Sequence, residues 1–231
     1  MMQGLRSALF LAWFLAVTTI LSLIFLPVLA GPRQATVWLA RLWARLTFWG
    51  LKAFAGIGFE VRGMPPAGPV LVASKHMSMW DTLALYLTLH EPAIVLKREL
   101  LRIPFYGWFL AKAAAIPIDR GAGARALRKM SDAARQVLAQ GRPILIFPEG
   151  TRKRPGAAPD YKPGVAGLYG LLGVACVPVA LNSGVYWTGF LKRPGTIVLE
   201  FLEPIPPGLK RDAFMTQLQS RIESATSALL P

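Results

Sequence analysis

No charged residue stands between Arg6 and Arg33. At about 1.5 Å per helical residue, an apolar run of this length covers the roughly 30 Å of a bilayer's hydrocarbon core, so Ala8 to Ala30 is expected to form a membrane helix. A cleavable signal peptide could end near Ala30-Gly31, but its apolar centre is shorter, about 7 to 15 residues. Two arrangements stay open: a single span, or a two-helix hairpin dipping into one leaflet, with Pro27, Gly31 and Pro32 supplying the bend. More Lys and Arg follow the run than precede it, which for a spanning helix leaves the rest of the chain on the cytoplasmic side.

The next segment, Ala35 to Phe54, puts Arg41, Arg45 and Lys52 on one stripe at about 100° per residue. Trp38, Trp43 and Trp49 suit the headgroup region. An interfacial helix is expected here, although Phe48 falls on the basic stripe; the alternative is a basic-faced helix packed on the domain. The chain as a whole is 54% hydrophobic and only 16% charged, which is too apolar for an ordinary soluble globule and implies membrane contact. Its 26 Lys and Arg against 12 Asp and Glu leave a net charge of +14, a charge that seeks an anionic partner. The bases are scattered among apolar segments and form no groove-reading module, so phospholipid is favoured and nucleic acid is not.

From Gly58 the pattern changes. Pro69 to Ser74, Ala93 to Leu96, Ile116 to Ile118, Ile144 to Phe147, Val174 to Leu181 and Thr196 to Phe201 read as strands, with helices between them. Ala124 to Ala139 and Arg211 to Leu229 are expected helices, the first ended by Gly141. This alternation predicts an α/β fold: a mixed, largely parallel sheet flanked by helices, with active-site residues in the loops at one sheet edge. Residues 1–56 would form the two-helix membrane-binding segment and 57–231 the catalytic domain.

Chemistry has few candidates. Cys176 is alone and reads as a core residue, and only His76 and His90 could serve as imidazole ligands, so no metal site is expected. His76 lies in the stretch Ser74 to Thr82, between a strand and a helix start, where an imidazole can take an alcohol's proton and a carboxylate can fix its tautomer. Asp81 is the nearest such carboxylate; the pair works only if His76 sits in the loop and Asp81 in the first turn. Alone, this spacing is better explained by a structural His and a helix-start Asp. A second block, Phe147-Pro148-Glu149-Gly150-Thr151-Arg152, follows a strand and offers a flexible glycine and a guanidinium fork suited to phosphate.

Together these segments resemble the glycerolipid acyltransferase family, whose signature is His, four residues, Asp, followed by a Phe-Pro-Glu-Gly-Thr-Arg block. Lys97-Arg98-Glu99-Leu100, Ile118-Asp119-Arg120 and Val177 to Leu181 match further blocks, so the resemblance covers Val70 to Asn182. It is nearest to the bacterial 1-acylglycerol-3-phosphate acyltransferases. The resemblance implies a lysophosphatidate acceptor, acyl-CoA or acyl carrier protein as donor and no other cofactor, at the inner (cytoplasmic) membrane. It implies His76 and Asp81 as the catalytic pair, with Glu149, Gly150, Thr151, Arg152, Lys97 and Arg120 binding substrate. Lys75 departs from the Asn or Arg that many members carry there and reads as a variation beside the site. Another lysolipid acceptor, including an amino-acid-derived one, fits the same motifs; a noncatalytic membrane-surface protein is the rival from another class.

Overall fold

A computed structural model describes residues 2–119 and 123–231. The chain begins with helix α1 (Met2–Ile24), turns through a 3₁₀ segment at Leu26–Ala30, and returns as α2 (Arg33–Gly50), which runs into a π-helical turn at Leu51–Ala55. Then come β1 (Ile57–Arg62), β2 (Leu71–Ser74), α3 (Met79–Thr88), β3 (Ala93–Lys97), α4 (Tyr106–Lys112), β4 (Ile116–Ile118), α5 (Gly123–Ala139) and β5 (Ile144–Ile146). The chain ends with α6 (Gly164–Leu172), β6 (Cys176–Leu181), α7 (Ser183–Tyr186), the short hairpin β7 (Trp187–Thr188) and β8 (Leu191–Lys192), β9 (Gly195–Phe201) and α8 (Arg211–Leu229). Seven strands form one sheet in the order β1-β9-β6-β2-β5-β3-β4. Every pairing in it is parallel except β6 with β9, so the expected α/β fold with a mixed, largely parallel sheet is what forms. Strand β1 and the β7–β8 hairpin had no place among the expected strands.

Successive side chains on a strand point to opposite faces, and in a sheet covered on both sides both sets are apolar. In β2, Val72 joins a core with Trp80, Leu83 and Leu85, whereas Leu71 and Ala73 join another with Met130, Leu168 and Phe214. Helices α5, α6 and α8 cover the second face; in α8, Phe214, Leu218 and Ile222 recur every four residues and are buried.

The first face is covered by α3 and by the amino-terminal hairpin. Phe10, Ala44, Phe48 and Leu51 belong to the same core as the sheet, and Phe48 stacks on Trp80 at 5.5 Å between centroids. The division at 56 and 57 therefore separates helices from sheet along the chain, while the packing is continuous across it. The basic stripe of the second helix is not uniformly turned to solvent: Arg45 is exposed, but Arg41 donates to the carbonyl oxygens of Leu87 at 2.9 Å and Leu89 at 3.4 Å, satisfying the open end of α3. Phe48, on the same stripe, is itself buried, while Lys52 like Arg45 stays exposed.

The hairpin is tied down at both ends. At its base Arg6 donates to the Phe54 carbonyl at 3.0 Å, and the Ser7 hydroxyl accepts from the Lys192 amide at 2.9 Å. At its tip Arg33 pairs with Glu91. Between them Trp13 donates to the Leu46 carbonyl and Trp43 to the Thr18 hydroxyl, both at 2.9 Å. The outer side of α1, with Leu9, Leu15, Ile20, Leu23 and Ile24, is left exposed.

Candidate active site

The loop between β2 and α3 carries the first motif. Ser78 is the N-cap of α3 and Asp81 its third residue, and the two form a reciprocal capping box. This fixes the Asp81 carboxylate, wholly buried, against the loop. Its Oδ2 accepts from the amides of Met77 at 2.6 Å and Ser78 at 2.8 Å and meets His76 Nδ1 at 2.9 Å. The expected placement of His76 in the loop and Asp81 in the first helical turn is the observed one.

A carboxylate only accepts, so in the neutral imidazole it is Nδ1 that carries the proton and Nε2 that offers a lone pair. The other face of the site holds the ring in place: His76 stacks on Phe147 with 3.9 Å between centroids and 21° between planes. His76 remains 12% exposed, on the wall of a cavity of about 870 Å³.

Two further hydroxyls complete the environment of Asp81. Ser183, at the start of α7, donates to Asp81 Oδ1, and the Ser78 hydroxyl lies 2.8 Å from the Ser183 oxygen. Ser183 reaches Asp81 across 102 positions of sequence, and no local pattern marks it. Hydrogen bonds to charged groups contribute about 1.5–3 kcal/mol. Ser183→Ala is therefore expected to lower the unfolding free energy by that amount in urea titrations; a loss below about 0.5 kcal/mol would show that the bond is not formed in solution.

The second motif turns directly beneath the first. Lys153 donates its amide to the His76 carbonyl at 2.8 Å, and Gly150 takes φ +62, a left-handed conformation suited to a residue without Cβ. Gly150, Thr151 and Arg152 line the cavity with His76, and so does Lys97 from the end of β3. Arg120 lies outside the described residues. Lys162, also on the wall, is paired with Asp160 at 2.7 Å.

Glu149 does not share that wall. Its carboxylate is 1% exposed and is drawn to Lys75, whose Nζ lies 3.1 Å from Oε1. Lys75 is itself 2% exposed and also contacts both oxygens of Glu223 on α8, at 2.7 and 3.0 Å; Tyr161 donates to the same Glu223 at 2.9 Å. Burial holds the Glu149 carboxyl above the ordinary glutamate range, with Lys75 opposing it. Glu149, expected among the substrate-binding residues, lies in this structure in a buried ion cluster with Lys75 and Glu223. Lys75, read as a variation beside the site, is the centre of that cluster.

A second cavity of about 420 Å³ lies between the amino-terminal hairpin and α4. Its lining is almost wholly apolar and shares Thr82, Ile94, Tyr106 and Leu110 with the cavity that holds His76. Among the described residues no cluster of three His, Cys, Asp or Glu side chains is arranged to hold a metal ion.

The Acyltransferase family model matches residues 58–182, which take in both motifs. The 1-acyl-sn-glycerol-3-phosphate acyltransferase of Pseudomonas aeruginosa is 40% identical over 67% of this chain and 62% of its own length. Human 1-acyl-sn-glycerol-3-phosphate acyltransferase alpha is 33% identical over 70% of this chain and 60% of its own. The chain thus spans about three-fifths of these relatives. The lyso-ornithine lipid O-acyltransferase of Pseudomonas aeruginosa is 31% identical over 78% of both chains. The crystal structure of the 1-acyl-sn-glycerophosphate acyltransferase PlsC from Thermotoga maritima superposes with a TM-score of 0.79 over 98% of this chain and 97% of that one, at 20% identity, and shares the fold. By the match of its central 58–182 segment and the relatives that extend it, the chain belongs to the acyltransferase family.

Proposed function

We propose that this protein transfers a fatty acyl group from a thioester to the free sn-2 hydroxyl of 1-acylglycerol-3-phosphate, making phosphatidate. The observation that carries this reading is the imidazole of His76, oriented by a buried carboxylate and opening onto a cavity whose wall also presents Lys97 and Arg152. With Nδ1 committed to Asp81, Nε2 takes the proton of the acceptor hydroxyl as that oxygen attacks the thioester carbonyl. Asp81 stabilises the imidazolium that results. The thiolate leaves without strong acid assistance, its conjugate acid having a pKa of about 8.5, so no acyl-enzyme is required.

Two bound substrates held in reacting geometry avoid the entropy of a bimolecular encounter. The phosphate of the acceptor is the natural handle for Arg152 and Lys97, and the apolar cavity between the hairpin and α4 suits an acyl chain. The donor is acyl-CoA or acyl carrier protein, either of which is anionic and drawn to a chain of net charge +14.

The membrane partner is a phospholipid leaflet. Helix α1 is long and apolar enough to cross a bilayer, with mean hydropathy 2.2, but the hairpin is tied to the domain at base and tip. That favours a hairpin lying in one leaflet, on the cytoplasmic side of the inner membrane, over a helix that spans it.

A second reading, acylation of lyso-ornithine lipid, is favoured by the relative whose match extends evenly over both chains. Initial rates with lysophosphatidate and lyso-ornithine lipid separate the two. For a phosphate acceptor, Arg152→Ala removes a charge-assisted contact of about 1.5–3 kcal/mol, and the acceptor KM is expected to rise about 10- to 100-fold. A native chain that uses only lyso-ornithine lipid, or an Arg152→Ala variant with unchanged KM, would sink the lysophosphatidate assignment.

A further inference from the structure

Between β3 and β4 the chain leaves the sheet, makes a 3₁₀ turn at Arg98–Arg102 and enters α4. This excursion turns large apolar side chains outward: Ile103, Phe105, Tyr106 and Trp108 are each between 36% and 49% exposed. The turn that presents them is sharply defined. Phe105 stands at φ +62 and ψ −65, a conformation that L side chains rarely adopt, and Gly107 has no room for a Cβ against the Leu101 carbonyl. The rings of Phe105 and Trp108 consequently lie together, 5.1 Å between centroids.

An apolar patch of this kind is unusual on a surface that faces only water. It is also continuous with another. Helix α4 packs against the tip turn of the hairpin and against α2, so its exposed side chains extend the exposed apolar side formed by Leu23, Ile24 and Leu26. Arg98 and Arg102 stand exposed at the start of the excursion, and Lys112 is partly exposed at its end. Their charge is of the sign that anionic headgroups attract, and the tryptophan ring suits the headgroup boundary.

We infer that the 98–112 segment is a second membrane-seated element, in which Ile103, Phe105 and Trp108 enter the same leaflet as the hairpin. The inference rests on the reading that the hairpin lies in that leaflet. It gives the apolar cavity between hairpin and α4 two walls that both reach lipid. Because Tyr106 and Leu110 line this cavity and the one that holds His76, a chain can pass sideways from bilayer to site without crossing water.

The test uses the full chain and a single introduced thiol. Cys176 is wholly buried and burial pushes its thiol up, out of the range where it reacts, so an environment-sensitive maleimide goes to the new position. Trp108→Cys, Ile103→Cys as a second position in the patch, Leu15→Cys on the hairpin and Ser220→Cys on the exposed side of α8 are labelled and bound to phosphatidylglycerol–phosphatidylethanolamine vesicles. Labels at 103, 108 and 15 are expected to shift to the blue and to be quenched by brominated acyl chains, while the label at 220 stays in water. Labels at 103 and 108 that behave like the one at 220, with 15 in lipid, overturn the inference and leave the hairpin reading standing; this is also what a protein partner on the patch would give. Labels at 15, 103 and 108 that all stay in water overturn both.

Discussion

His76→Ala is expected to lower kcat by about 10²–10⁴-fold, the usual contribution of a positioned general base, with little change in the acceptor KM. The size of the loss follows from the geometry. Asp81 holds Nδ1 at 2.9 Å and Phe147 holds the plane of the ring, so the imidazole is presented in one orientation. The other histidine, His90, sits exposed in the loop after α3 and has no contact with the cavity wall. Among the described residues His76 is the one imidazole on the cavity wall. Because Asp81 works through His76, the two losses are not additive: His76→Ala combined with Asp81→Asn is expected to be no slower than His76→Ala alone. Steady-state rates in detergent micelles measure both. Activity of His76→Ala within a few-fold of the native chain would remove the proposed base, and a double variant much slower than the single one would give Asp81 a role of its own.

The signals legible in the sequence were those that repeat or sit close together. Strand and helix alternation gave the α/β architecture because burial on both faces of a parallel sheet writes apolar runs into each strand. His76 and Asp81 were readable as a pair because a capping box holds them within one turn, and Ser78 carries the local mark of that box. Gly150, Thr151 and Arg152 were readable because one turn contains them.

What escaped was made by distant partners. Ser183 comes to Asp81 from the far end of β6, and Glu223 comes to Lys75 from the last helix; neither has a sequence neighbour that foretells it. The ion cluster around Glu149 escaped for the same reason, since only the fold shows that Lys75 is behind it. The basic stripe of α2 was visible as a stripe, but that its Arg41 meets the carbonyl end of α3 shows only in the fold. Strand β1 escaped because it lies at the sheet edge with Phe59, Glu60 and Arg62 exposed, so it lacks the apolar run of the central strands.

The Lys75 cluster carries the largest expected effect on stability. Lys75 is shared by Glu149 and Glu223, and it joins the two motif loops, through the residues directly preceding His76 and Gly150, to the final helix. Removing one partner of a buried ion pair leaves the other charge without compensation, at a cost of about 3–5 kcal/mol. Lys75→Met is expected to destabilise the fold by that amount in urea or thermal unfolding. The pH dependence fixes the cause. Glu149 already binds its proton more tightly in the folded chain than at its ordinary value of 4.5, and loss of Lys75 raises that affinity further. A carboxyl that holds its proton more tightly when folded favours the folded state increasingly as pH falls toward the ordinary glutamate range, and that contribution is lost as pH rises through the folded value. The deficit of Lys75→Met is therefore largest at neutral and alkaline pH and shrinks on acidification. Lys75→Met with Glu149→Gln removes the buried uncompensated charge and is expected to recover part of the loss at pH 8. A deficit that is constant with pH, and not relieved in the double variant, would assign the effect to lost packing of the lysine stem instead of to the charge it neutralises.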